Sequence, residues 1–142
     1  MDQRTAPYAI LLLRVTLGVL ALLHIYWKFY ILDGGFGAWW ANLIANGYPS
    51  WVIVYVLSGE FLAAVCLIPG IAARWVALYS VPLMIGASLY WIPRNGFFFA
   101  GAGAEMPIFW TIALIVFAGL GDGPYALLRS PQFPQLAGRR VA

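Results

Sequence analysis

Four long apolar stretches, separated only by short breaks, prevent this 142-residue chain from folding as a soluble domain. They cover residues 7–32, 51–68, 72–92 and 105–120, and their lengths bracket the roughly 20 residues needed to cross a hydrocarbon core. Only 9% of the residues are charged, against about 25% in soluble domains. Backbone that lies in lipid must satisfy its own hydrogen bonds, so each stretch is read as a helix. The expected fold is therefore all-α: an integral membrane four-helix bundle over residues 1–128, with a tail from 129 to 142.

The breaks carry their own signals. Pro7 suits the first turn of a helix, and Asp33-Gly34-Gly35 stops the first span. A cleaved signal segment would be shorter, would not be interrupted by Arg14, and would end in a small-residue cleavage site. In residues 34–50, Phe36, Trp39, Trp40, Leu43 and Ile44 recur at helical spacing, which predicts a short amphipathic helix at the membrane interface. Pro69-Gly70 separates the second and third spans, and Pro93 is expected to end the third. Residues 93–105, with three successive phenylalanines and an Ala/Gly run, read as an interfacial loop. Gly121-Asp122-Gly123-Pro124 stops the fourth span.

Charge orients the bundle. Arg4, Arg74, Arg129, Arg139 and Arg140 flank one set of span ends, while only Lys28 and Arg94 flank the other. Positively charged loops stay in the cytoplasm, so both termini are expected there. The formal charge of +3 comes from scattered residues, not a basic patch, and argues against nucleic acid as a partner. The one cysteine, Cys66, excludes an internal disulfide or dithiol relay, and the one histidine, His24, excludes a bis-histidine haem within one chain. No metal site is expected. Most of the seven tryptophans, Trp110 among them, read as interfacial belt residues.

Ionisable groups inside the spans carry the functional interest, because lipid tolerates a charge only when it finds a partner or water. At about 100° per residue, Arg14, His24 and Lys28 fall within an arc of about 80° on the first helix. That face must look into the bundle. Glu60, near the middle of the second span, is the expected counter-ion of Arg14, either as a lock on helix register or as part of a site. His24 and Lys28 lie toward the other end, where Glu105 and Arg94 are expected to join them in a polar cluster beneath the aromatic loop. Lys28 has a second reading, in which its stem lets the ammonium reach the headgroups. His24 is suited either to packing or to donating to a quinone carbonyl. Tyr26, Tyr55, Tyr79 and Tyr90 are further candidates for lining this pocket. No nucleophile with its base is visible, so no catalytic residue is assigned and a stand-alone enzyme is disfavoured.

Several of these residues resemble the DoxX family of small four-helix bacterial membrane proteins. Leu13-Arg14, Gly18, His24 and Lys28 are similar to its opening helix, and Gly47-Tyr48-Pro49 precedes the second span as there. Gly59-Glu60, Leu67-Ile68-Pro69-Gly70 and Arg74 are similar to its intramembrane Glu, glycine turn and basic residue. Glu105 and Gly119-Leu120-Gly121-Asp122-Gly123 bound the last helix. The chain departs at Tyr125-Ala126-Leu127, where the family often has a Gly-Pro-Gly turn and Ser-Leu-Asp.

The resemblance implies a multi-pass protein of the bacterial inner membrane that works with oxidoreductases, the family name coming from thiosulfate oxidation coupled to quinone reduction. The expectation is then an accessory subunit of a quinone-linked oxidoreductase, with a quinone as its non-covalent cofactor and a larger redox protein or further copies of the chain as partner. The alternatives are a scaffold or assembly subunit of a larger membrane complex, and a small-molecule carrier. The second of these suits the chain less, for want of an inverted repeat.

Overall fold

The computed structural model describes residues 4–131, which form five α-helices and, among those residues, no β-strand. Helix α1 spans Ala6–Tyr26 and runs on through a π-helical turn, Trp27–Ile31. The short α2, Gly35–Ala45, follows. Helix α3 spans Ser50–Leu62 and also continues into a π turn, Ala63–Leu67. Helices α4, Ala73–Asn95, and α5, Glu105–Leu120, complete the set. The expected tail lies outside the described residues from 132 onward, and with it Arg139 and Arg140 of the orientation count.

The continuous helices Ala6–Ile31, Ser50–Leu67 and Ala73–Asn95 are long and apolar enough to cross a membrane. Helix α5, at 16 residues, measures about 24 Å at 1.5 Å per residue. With α1, α3 and α4 it makes the expected four-helix bundle. The third span overruns its expected end at 92, because a proline in the last turn forfeits only one amide donor. The Arg94 guanidinium reaches back to the Tyr90 carbonyl at 2.8 Å and supports that turn.

Lipid removes most of the hydrophobic drive for helices to associate, so close packing of small residues has to supply the contact. The interior accordingly holds Ala21, Ala63, Ala64, Ala73, Ala77, Ala113 and Ala118, interleaved with Leu17, Leu67, Leu114 and Phe117. Gly18 shows how tight the α1–α3 seam is. A Cβ there would stand 2.7 Å from Ile68 Cγ1 and 3.2 Å from Leu67 Cβ.

After α5 the chain folds back as a strap across the end of the bundle where α1 and α4 begin. Leu127 donates to the Pro69 carbonyl at 3.2 Å, Leu128 to Gly70 at 3.0 Å, and Ala72 to Leu128 at 2.9 Å. These bonds form a single parallel bridge between Ile71 and Leu128. Asp122 anchors the strap from a buried position. Helix α4 lacks a capping side chain of its own, and Asp122 Oδ1 accepts from the Arg74 amide at 2.6 Å in the manner of an N-cap supplied from elsewhere in the chain. The same carboxylate accepts from the Ser130 amide and hydroxyl.

Candidate functional site

The α1–α3 seam decides which charges meet. With Gly18 level with Leu67 and Ile68, a rise of about 1.5 Å per residue puts Lys28 roughly 15 Å and Glu60 roughly 11 Å above that level. Arg14 falls roughly 6 Å below it. Glu60 is thus close to Lys28 in depth and far out of reach of Arg14.

The side chains bear this out. Lys28 Nζ donates to both carboxylate oxygens of Glu60, and the two side chains are only 5% and 6% exposed. The expected Arg14–Glu60 pair does not form. Arg14, 1% exposed, instead directs Nη1 to the Asp122 carbonyl at 2.7 Å and Nη2 to the Tyr125 carbonyl at 3.0 Å. It fastens the strap to α1. Its place in the expected polar cluster is corrected by the helix register: Arg14 lies below the level at which the second span ends at Leu67, whereas Glu60 lies about two turns above it.

Local backbone geometry frames the ion pair. Lys28 lies within the π turn of α1, and Glu60 sits three residues before that of α3. A π turn inserts a residue into the helical repeat and re-aims the side chains beyond it, which is why such turns gather at functional positions. From the loop side, Lys28 Nζ lies 4.6 Å from the centre of the Trp39 ring on α2, a cation–π contact. Phe36 of α2 stacks on Phe29 with ring centres 4.8 Å apart. Thus α2, none of whose residues is buried, covers the outer end of the pair. On the inner side, Glu60 borders a void of about 20 Å³ shared with Ser80, Met84, Leu17 and Trp110. That is room for about one water molecule.

His24 and Glu105 do not join the pair. The His24 side chain is exposed on the bundle surface, with its ring centre 4.9 Å from that of Trp110. This corrects the belt assignment of Trp110, which is 9% exposed and packs into the core. Glu105 Oε2 accepts from the Phe99 amide at 2.8 Å and closes the aromatic loop on itself. Arg94 donates to Asn46 Oδ1 at 2.9 Å and lies over the Tyr90 ring. The outer cluster expected from sequence is therefore two separate devices, an ion pair inside the bundle and a set of loop ties.

The candidate tyrosines also line other places. Tyr55 donates to the Tyr79 carbonyl at 2.6 Å, beside Pro82, and Ser58 meets the Tyr79 hydroxyl at 2.9 Å. Tyr26 stacks on Tyr30, and Tyr90 contacts Tyr48 and Trp91. On the strap, the exposed Tyr125 phenol is held above its ordinary ionisation range, first by its hydrogen bond with Tyr8. Among the described residues no cluster of metal-ligating side chains occurs.

A second cavity opens sideways between α1 and α5. This groove of about 290 Å³ runs past Ala9, Leu13, Thr16 and Leu20 to Phe109 and Ala113, and Leu17 and Trp110 form its floor. His24 adjoins it through its contact with Trp110.

A bundle of apolar helices with an internal lysine–glutamate pair defines a small polytopic membrane protein with an intramembrane charged site. A model of the DoxX family matches residues 9–94, and the chain belongs to that family. That stretch holds Arg14, His24, Lys28 and Glu60, but not Glu105, α5 or the strap. Searches of curated proteins and of solved structures return no match to this chain.

Proposed function

We propose that the protein is the membrane-embedded accessory subunit of a quinone-linked oxidoreductase, with the Lys28–Glu60 pair as its polar centre. The observation that carries this reading is that pair, a cation and an anion held inside the span region beneath Trp39. Intramembrane charges are costly and mark ion, proton or substrate routes by default. A quinone supplies an electron acceptor that takes up protons as it is reduced, and a carboxyl next to an ammonium suits delivery of those protons.

Size limits where a quinone would fit. The void beside Glu60 is too small for its ring, whereas the groove of about 290 Å³ lies near the lower end of ligand pockets, roughly 300 Å³. His24, whose ring nitrogens can donate or accept, is the residue that would hold a carbonyl at the rim. In this reading the electrons come from a partner protein. Arg4, Arg74 and Arg129 against Lys28 and Arg94 support an inner-membrane placement with both termini in the cytoplasm.

One observation favours a scaffold instead: Lys28 and Glu60 already find each other as partners within the chain. Gentle extraction with native lipids, followed by quinone assay of an organic extract, separates the readings. The redox reading expects a quinone in fixed proportion to protein that is lost in Glu60→Gln and Lys28→Met. A quinone-free protein that copurifies with a larger complex, unchanged in both variants, would establish the scaffold.

A further inference from the structure

The groove and the void share two walls. Leu17 and Trp110 line both the lateral groove between α1 and α5 and the void that touches Glu60. One layer of side chain therefore separates the bilayer-facing surface from the ion pair.

We infer that α1 and α5 frame a lateral access route for a lipid-borne amphiphile with a carbonyl head and a hydrocarbon tail, and that Trp110 is its movable partition. The inference rests on the quinone-linked reading and adds to it the path and the residues that set it. The groove lies along α1 from Ala9 to Leu20, about 16 Å at the helical rise, parallel to the chains of a surrounding bilayer. Its lining is apolar except for Thr16. It therefore suits a tail and offers nothing to a charged solute.

Polar chemistry is confined to its outer end and to the far side of its floor. His24 stands against the Trp110 ring at the rim, and Glu60 and Ser80 lie behind it. The groove thus shares a wall with the polar centre, which a plain lipid-chain slot between helices would have no reason to do. Trp110 is held by a tilted ring contact with His24 and by apolar contacts, and its indole makes no hydrogen bond with the described residues, so its rotation breaks none. Rotation would join the two spaces and bring a head group at the rim to the Glu60 carboxylate. Small side chains create the opening: Ala9, Thr16 and Ala113 line it, where larger residues would fill it.

The test uses the full chain in lipid nanodiscs titrated with decylubiquinone and read by quenching of tryptophan fluorescence. Thr16→Phe fills the groove from an exposed position and so spares the core, and Ala113→Phe fills it from the opposite wall. Val54→Phe, on an exposed part of α3 away from the groove, is the control. Each groove variant is expected to weaken binding by about tenfold or more, one decade in the dissociation constant, while the control binds as wild type. Dodecanol, a tail without carbonyls, is expected to compete poorly. Equal binding by wild type and both groove variants would overturn the route and leave the quinone reading standing. Full competition by dodecanol would make the groove an ordinary lipid-chain site and also overturn it. Failure of the wild type to bind decylubiquinone at all would remove the quinone reading, and the route with it.

Discussion

Removing one partner of the Lys28–Glu60 pair is expected to cost far more than removing both. Lys28→Met leaves a carboxylate that is only 6% exposed with no cation. Such an orphan costs about 3–5 kcal/mol. In the double variant Lys28→Met/Glu60→Gln no charge remains buried, and stability should return to within about 1–2 kcal/mol of wild type. Reversible unfolding in mixed micelles of rising SDS content, followed by circular dichroism at pH 7, reads both quantities. A single variant as stable as wild type, or a double variant no better than the single, would refute a desolvated ion pair.

Three further perturbations address the supports around it. Gly70 sits at φ +80° with the Arg14 guanidinium against the place a Cβ would occupy, so Gly70→Ala should lower stability by at least about 1–2 kcal/mol. Gly86→Ala, with nothing within 4 Å, should not destabilise, and the same SDS titration compares them. Asp122→Ala removes the cap on α4, at about 1 kcal/mol, and should speed hydrogen exchange at the Leu127 and Leu128 amides while leaving the middle of α3 protected. Glu105→Ala should speed exchange at the Phe99 amide and leave quinone retention unchanged. A loss of quinone there would return Glu105 to the site.

The four-helix bundle and the short helix after the first of them were legible because lipid imposes one solution on a long apolar run. The identity of the charged residues was legible too, since Arg14, Lys28 and Glu60 have no comfortable place in lipid. Their pairing was not. It depends on the offset between α1 and α3, which Gly18 against Leu67 and Ile68 fixes through a contact between distant parts of the chain. Two π turns also re-aim side chains in a way that a fixed 100° repeat misses. Asp122 read as part of a helix stop, and only the returning strap makes it a cap for α4. Trp110 sits near a span end, as belt residues do, and nothing in its spacing marks it as the wall between two cavities.

The central claim is that quinone chemistry is felt at the Glu60 carboxyl. Infrared difference spectroscopy on the protein in nanodiscs with bound decylubiquinone, cycled electrochemically between quinone and quinol, tests it most directly. A carboxyl band that changes on reduction, vanishes in Glu60→Gln and survives in Glu105→Gln is the expected result. Difference spectra identical in wild type and Glu60→Gln would contradict the claim and leave the ion pair as a lock on the bundle.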